Sequence, residues 1–398
     1  MKEIPITKAV FDAREYETIV KPLDTGWVVQ GPYVKQFEQL FAEFTQSKYA
    51  KAVSNCTTAL HLALTALAVG RGDKVVVPSF TYVASANAVE YTGAEVVFCD
   101  IDLNTFNMDT EHLGTLLAED KNIKAIMPVN LFGLCADLEQ IMKLAKRYGK
   151  SVVEDSACGF DAWIGQNHSG TYGNVGCFSF HPRKSITTGE GGMLITDDEN
   201  IYQKVSQLCD HGAQKSDLQR HHEKGGSLLP DFTMLGYNYR MTDFQGALGV
   251  CQMQKAREIM AGRRNIASQY SEALSQITAL ERPFVEEGYT HGYQSYVCLY
   301  TNGLSREELT ISKIDSLNIK RNRLMHLLEE KGIATRQGTH AVHTLGYYQK
   351  KYQLKPEDYL QSYAADRLSI TLPLYAQMSH DEFEYIIMNI KEAIKCVA

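Results

Sequence analysis

Lys184 lies between a short apolar run and a glycine-rich turn, in the stretch FSFHPRKSITTGEGGMLITDD from Phe178 to Asp198. The run Cys177 to Phe180 suits a strand, and Gly189, Gly191 and Gly192 allow a tight reversal into a second strand, Met193 to Thr196. A lysine held so near packed backbone is partly desolvated, which disfavours its ammonium form and frees an amine for Schiff-base chemistry. Three other stretches offer partners. SNCTTALHLAL places Asn55 to Thr58 at the start of an apolar helix, where unpaired amides and the helix dipole favour a phosphate. PSFTYVASA supplies Tyr82, whose ring can stack on a planar cofactor. VVEDSAC ends an otherwise apolar strand in two carboxylates, and Asp155 can face a cationic ring nitrogen. Taken singly, these groups are more often a surface charge, a helix cap, a core aromatic and a capping or exposed acid. Together with a phosphate-binding hydroxyl at Ser179, they describe a pyridoxal phosphate site.

Such a site needs strand ends that converge, because ligands of open parallel sheets bind beyond the carboxyl ends of the strands. From Lys48 to Thr196 short β-branched runs alternate with helical ones, the pattern of parallel βαβ units. The expected strands are Tyr49 to Val53, Lys74 to Val77, Glu95 to Cys99, Ile123 to Pro128, Ser151 to Glu154, Cys177 to Phe180 and Met193 to Thr196. Each is mostly apolar, as befits a sheet covered on both faces. Thr57 to Val69 and Leu138 to Tyr148 carry apolar residues at helical spacing and are expected to pack on it.

After Asp198 the pattern changes. Ala213 to Pro230 is polar, bears the pair His221 and His222, and is too long for a simple connector, which marks a functional or interface loop. A single long helix, Thr242 to Arg263, is expected to lead into a smaller domain. That domain should contain a strand in Tyr293 to Tyr300, a helix from Lys320 to Lys331 and a last helix from His380 to Cys396. Asn302 to Asn318 reads as a polar surface excursion. The fold class is therefore α/β, a mostly parallel seven-stranded sheet between helices in residues 1–255 and a smaller C-terminal α/β domain in residues 256–398.

A net charge of −7 without a basic block leaves no footprint for nucleic acid, but allows a local basic pocket for a small anion. The first residues lack a signal-peptide pattern, and no run approaches the roughly 18 apolar residues of a membrane span, so a cytoplasmic protein is expected. Nine scattered cysteines with no C-x-x-C pair argue against a disulfide framework and a zinc site. His340 and His343 lack a third ligand at matching spacing, and no metal is expected.

The chain resembles the sugar aminotransferases of the DegT/DnrJ/EryC1/StrS family. The likeness runs from Gly26, Trp27, Gly31, Pro32, Phe37 and Glu38 through GDKVVVPSFTYVASANAV, GAEVVFCDID, PVNLFG, VVEDSAC, CFSFHPRKSITTGEGGM and LGYNYRMTDFQGALG to LPLY. It implies a fold type I aminotransferase with pyridoxal 5'-phosphate on Lys184, Asp155 on the pyridinium nitrogen and Tyr82 stacked on the ring. It further implies that Thr57, Thr58 and Ser179 hold the phosphate, joined by Asn238 from the other subunit of a homodimer with composite active sites. Three positions depart from the family's pattern. Cys56 stands where glycine is usual, Asn130 where histidine is frequent, and Cys158 where glutamine or histidine contacts the cofactor hydroxyl, which leaves Cys158 near the cofactor in an unassigned role. The activity implied is transfer of an amino group from L-glutamate to carbon three or four of a nucleotide-linked ketosugar, for surface polysaccharide or related biosynthesis. Arg183, Arg240, Arg336 and His343 are the groups expected to meet the sugar nucleotide. Sugar dehydratases or lyases and non-catalytic regulators on the same fold are the alternatives. Members that dehydrate sugars carry histidine in place of the lysine, so Lys184 favours transamination.

Overall fold

The computed structural model describes residues 3–215, 221 and 229–397. Seven strands form the main sheet: β1 (Tyr49–Val53), β2 (Lys74–Pro78), β3 (Glu95–Cys99), β4 (Ile123–Ile126), β5 (Ser151–Asp155), β6 (Val175–Ser179) and β7 (Gly192–Thr196). They lie in the order β1-β7-β6-β5-β4-β2-β3. The β2/β3, β2/β4, β4/β5 and β5/β6 pairs are parallel, whereas β7 runs antiparallel to both β6 and β1. The sheet is thus mostly parallel, and the expected strands agree with it to within two residues at each end. Asp155 and Ser179 prove to be the last residues of their strands.

Side chains alternate across a pleated strand, so a strand buried on both faces must be apolar at every step. Val75 and Val77 join one core with Leu60, Val89 and Leu194, while Val76 between them joins a second with Ile126, Leu113 and Ile141. Likewise Cys177 faces the first core, and Phe178 faces a third with Phe37 and Phe41 of α1 (Pro32–Thr45). The first core is roofed by α2 (Cys56–Ala66) and α3 (Ala84–Tyr91), and the second by α4 (Leu138–Tyr148).

Two helical expectations need correction. The helix expected over Thr242 to Arg263 is two helices, α5 (Asp243–Gln254) and α6 (Ala256–Ala273), parted at Lys255 with φ −112° and ψ 9°. Apolar spacing runs through the break, so periodicity does not register it. Lys255 instead marks a tertiary contact, with its Nζ buried 2.6 Å from Glu15 and 3.3 Å from Asp12. The expected surface excursion Asn302 to Asn318 also ends in regular structure, because α7 (Ile311–Glu329) begins within it, capped by Thr310. Ile314 and Leu317 are buried there. Two polar residues share their face: Asn318 donates to the Arg367 carbonyl at 2.7 Å and Arg321 to that of Ser369 at 2.7 Å. Those buried polar side chains hide the amphipathic signal.

The C-terminal part is a three-stranded antiparallel sheet of β8 (Leu280–Glu281), β9 (Tyr296–Tyr300) and β10 (Ser369–Leu372), packed against α7 and α8 (His380–Val397). The chain's beginning joins it: the Ile4 amide donates to the Gly332 carbonyl at 2.8 Å and the Ala334 amide to the Ile4 carbonyl at 3.0 Å. A short antiparallel pair, Phe80–Thr81 with His340–Ala341, fastens this part to the exit of β2. Most of the Ala213 to Pro230 loop, including His222, lies outside the described residues. Among the described residues no helix is long and apolar enough to cross a membrane.

His168 is fully buried and accepts the Asp161 amide at Nε2, 3.0 Å away, while Nδ1 faces the Ser169 carbonyl at 2.5 Å. Burial pushes its pKa down to about 4, so the folded ring stays neutral where an unfolded histidine, with an ordinary value of 6.5, takes a proton. Its stabilising contribution is complete above pH 6.5 and is lost as pH falls towards 4. His168→Gln should reduce the slope of unfolding free energy against pH in that window by about 1.4 kcal/mol per unit. Urea titrations of both proteins across the window measure this, and equal slopes would refute it.

Candidate active site

The site is built where β5, β6, β7 and α2 end. Asp155 closes β5 and is 4% exposed. Its Oδ2 accepts the Ser85 hydroxyl at 2.7 Å and its Oδ1 the Ala157 amide at 3.0 Å. Among the described residues no cation lies within ion-pair distance of it. Burial raises its pKa, against the pull of those two hydrogen bonds and the field of Lys184. Glu154, one residue earlier, turns to the opposite face and receives the Gly170, Tyr172 and Gly173 amides at 2.6, 2.8 and 2.8 Å, with the Asn130 amide group at 3.1 Å. Strand alternation therefore sorts the two carboxylates, Glu154 to bind a loop and Asp155 to face the site. Asn130, fully buried, also donates to Ser156 and accepts the Ala136 amide, so its side-chain amide is hydrogen-bonded through both its nitrogen and its oxygen.

Lys184 stands in the loop between β6 and β7. The loop is tied by the Lys184 amide to the His181 carbonyl at 2.8 Å and by the Thr187 hydroxyl to the Phe180 carbonyl at 2.7 Å. Among the described residues the amine makes one hydrogen bond, from Nζ to Cys158 Sγ at 3.2 Å. Burial lowers its pKa, but the thiols of Cys158 and Cys56 and the Asp155 carboxylate outweigh burial, and the net shift is upward. The expectation of a freed amine is thereby corrected for the ligand-free chain. Burial disfavours a cation only when its new neighbours do not compensate, and here every one of these neighbours is an acid.

The phosphate end is defined by close approach. Gly192 pairs with Val53 of β1 on one side and Ser179 of β6 on the other. A Cβ on Gly192 would lie 2.4 Å from the Asn55 carbonyl carbon and 2.7 Å from the Cys56 nitrogen, so β7 can meet the start of α2 only as glycine. Asn55 caps that helix by accepting the Thr58 amide at 2.9 Å, and the Thr58 hydroxyl reaches back to the Asn55 carbonyl at 2.7 Å. The amides of Cys56 and Thr57 belong to the first turn, which has no intrahelical acceptors. Cys56 is 8% exposed and its side chain joins the core with Leu60 and Cys177, so it does not fill the turn where glycine was expected.

Tyr82 is 65% exposed, one turn before Ser85, and its ring is free of the core. Asn238 is exposed on a segment that runs beside β1, where the Ser54 amide donates to the Tyr239 carbonyl at 2.8 Å. The four expected anion-binding groups divide. Arg183 and Arg336 have no ion-pair partner among the described residues, and partial burial together with the Arg183 cation lowers the pKa of Arg336. Arg240 is held by Asp210 at 2.7 Å. His343 is turned inwards, with Nδ1 2.5 Å from the Ser79 hydroxyl and its ring centroid 5.0 Å from that of Tyr359. It is fully buried because the strand pair at His340–Ala341 carries the following turn beneath the end of β2. Ser85 is a site residue that the sequence did not single out. It stands 70 positions from the carboxylate it holds, and no local spacing reports such a contact.

These groups fit pyridoxal phosphate. A buried carboxylate without a cation suits a protonated ring nitrogen, two helix-end amides with the Ser179 hydroxyl suit the phosphate, and Lys184 suits the aldehyde. The architecture and the site define a fold type I aminotransferase. The model of the DegT/DnrJ/EryC1/StrS aminotransferase family matches residues 10–391. The chain belongs to that family. It is 34% identical over 395 residues to the spore coat polysaccharide biosynthesis protein SpsC of Bacillus subtilis (strain 168), spanning 98% of this chain and 97% of that one. It is 35% identical over 396 residues to the GDP-perosamine synthase of Escherichia coli O157:H7, spanning 98% and 99%. Among solved structures, the putative sugar aminotransferase Spr1654 from Streptococcus pneumoniae superposes in its PMP form with a TM-score of 0.89 at 27% identity, covering 99% of this chain and 100% of that one. Its PLP form superposes with a TM-score of 0.88 at 27% identity, covering 100% of each chain.

Gly192→Ala should force β7 away from the start of α2 and weaken pyridoxal phosphate binding about tenfold, equivalent to losing one hydrogen bond to a charged group. Titration of the ligand-free protein by absorbance measures this, with thermal unfolding reporting whether the fold survives. Unchanged affinity in a folded variant would refute the close-approach account.

Proposed function

We propose that the chain transfers an amino group from L-glutamate to a nucleotide-linked ketosugar, yielding a nucleotide-linked amino sugar for polysaccharide or related glycan synthesis. The observation that carries this reading is the Lys184 amine, 3.2 Å from Cys158 and in the field of a buried Asp155 that has no ion-pair partner among the described residues. GDP-perosamine synthase and a spore coat polysaccharide protein among the relatives support the substrate class. The ketosugar carbon aminated, three or four, belongs to the same reading and is decided by assay.

When bound, the cofactor supplies an electron sink for negative charge on the amino-bearing carbon of the substrate. Asp155 holds a proton at the ring nitrogen, and Ser85 and the Ala157 amide hold Asp155. Lys184 Nζ removes the proton from the donor's α-carbon and returns one to the acceptor's carbon, since both substrates use one site in turn. The Cys56 and Thr57 amides with Ser179, Thr57 and Thr58 would hold the phosphate, and Tyr82 would cover the ring. Arg183 and Arg336 receive the substrate anions, as two free cations in each other's field call for negative charge. Arg240, already paired with Asp210, and the buried His343 take no part in this arrangement.

The working form in this reading is a cytoplasmic homodimer. Asn238 is exposed, and Leu229, Phe232 and Leu235 on the same segment are 84%, 55% and 88% exposed, which suits a surface covered by a second copy. In this reading the large domain comprises residues 1–255 and the small one residues 256–398.

Three measurements test this. Purified protein with pyridoxal phosphate should show a visible band that L-glutamate bleaches and that Lys184→Ala lacks; a band retained in that variant would exclude Lys184 as the attachment point. Asp155→Asn should keep the band but lower turnover by on the order of a hundredfold, as for loss of one electrostatic stabiliser, and near-normal turnover would refute its role. Incubation with UDP-, dTDP- and GDP-linked 3- and 4-ketosugars plus L-glutamate should give one aminated product by mass spectrometry, and failure with all of them would overturn the substrate class.

A further inference from the structure

We propose that Cys158 is the positioning residue of Lys184: its sulfur accepts the hydrogen bond that the amine makes among the described residues and fixes where the amine stands before the cofactor arrives. This rests on the reading of Lys184 as the attachment point.

The contact is Nζ to Sγ at 3.2 Å, and the turn that presents the sulfur is rigid. The Ala157 amide donates to Asp155 Oδ1 at 3.0 Å and the Gly159 amide to the Ser156 carbonyl at 2.8 Å. The Ser169 hydroxyl donates to the Gly159 carbonyl at 2.6 Å, and a Cβ on Gly159 would lie 2.5 Å from that hydroxyl oxygen. One short turn therefore holds both the Asp155 carboxylate and the sulfur that holds Lys184. The relation between the ring-nitrogen partner and the reactive amine is set within four residues of sequence.

Sulfur is a weak and polarisable acceptor. The groups facing the Lys184 amine are Cys158 and Asp155 from β5 and its turn, Cys56 from α2, and His181 from its own loop. Cys158 alone among them is in hydrogen-bond contact. Loss of that acceptor leaves the ammonium form poorer by its nearest partner, so the neutral, nucleophilic amine is favoured at lower pH. Cys158 is also one of two cysteines that are not buried, the other being Cys396 in α8, so small thiol reagents can reach it.

The rate at which ligand-free protein acquires its visible band from pyridoxal phosphate, followed against pH, tests the proposal. Cys158→Ala should move the midpoint of that profile about one pH unit towards acid. Cys158→Ser, which keeps an acceptor, should stay close to the native midpoint. In a Cys396→Ser background, a small disulfide reagent should label one thiol in the native ligand-free protein, and pyridoxal phosphate should protect it. An unmoved midpoint in a folded Cys158→Ala protein, an equal shift in Cys158→Ser, or labelling indifferent to the cofactor would overturn the proposal. Those outcomes leave the proposed function intact, whereas a visible band that survives Lys184→Ala overturns the attachment point and this inference with it.

Discussion

A carboxylate buried at the end of β5, with no ion-pair partner among the described residues, is the constraint around which the rest of the site is arranged. Asp155 receives two hydrogen bonds, from a hydroxyl and an amide, and these offset only part of what desolvation costs a charge. The fold tolerates it because the strand is locked between β4 and β6, and because Glu154 on the opposite face is tied to three backbone amides. A ligand with a protonated ring nitrogen would supply such a cation. Since such a ligand binds the folded chain and not the unfolded one, cofactor binding also stabilises the fold.

Close approach also sets the position of the start of α2 against β7. β7 is the one strand that runs against the sheet, and it does so because the loop carrying Lys184 reverses the chain directly after β6. Gly192 then sits between Val53 and Ser179, in contact with the first turn of α2. Three strand ends and one helix end are brought into register by a residue without a side chain. The start of α2 and the loop that carries Lys184 are thus placed by one close contact.

Much of this was legible in the chain. Parallel strands buried on both faces read as unbroken apolar runs, so all seven strands of the main sheet could be located, and ligand groups at strand ends follow from the topology. Asp155, Ser179, Thr57, Thr58 and Lys184 stand out for that reason. Elements stabilised by buried polar side chains did not stand out. Asn318 and Arg321 conceal the amphipathic face of α7, and the buried ion pair at Lys255 divides a helix whose apolar spacing continues across the break.

By itself the sequence determined the order of the strands along the chain, singled out one lysine and one aspartate at strand ends as candidates, and carried the family to which the chain belongs. Only the tertiary structure decided which of two adjacent carboxylates faces the site, which cations remain free, and what touches Lys184. Arg240 is taken by Asp210, 30 residues away, and Ser85 holds an aspartate 70 residues on. Cys158 meets Lys184 across 26 residues and, with Cys56 and Asp155, holds the amine's proton more firmly than burial alone would suggest. Local spacing records propensity and periodicity, whereas proton affinity and pairing depend on which groups the fold brings into contact, and that sum exists only once the chain has closed on itself.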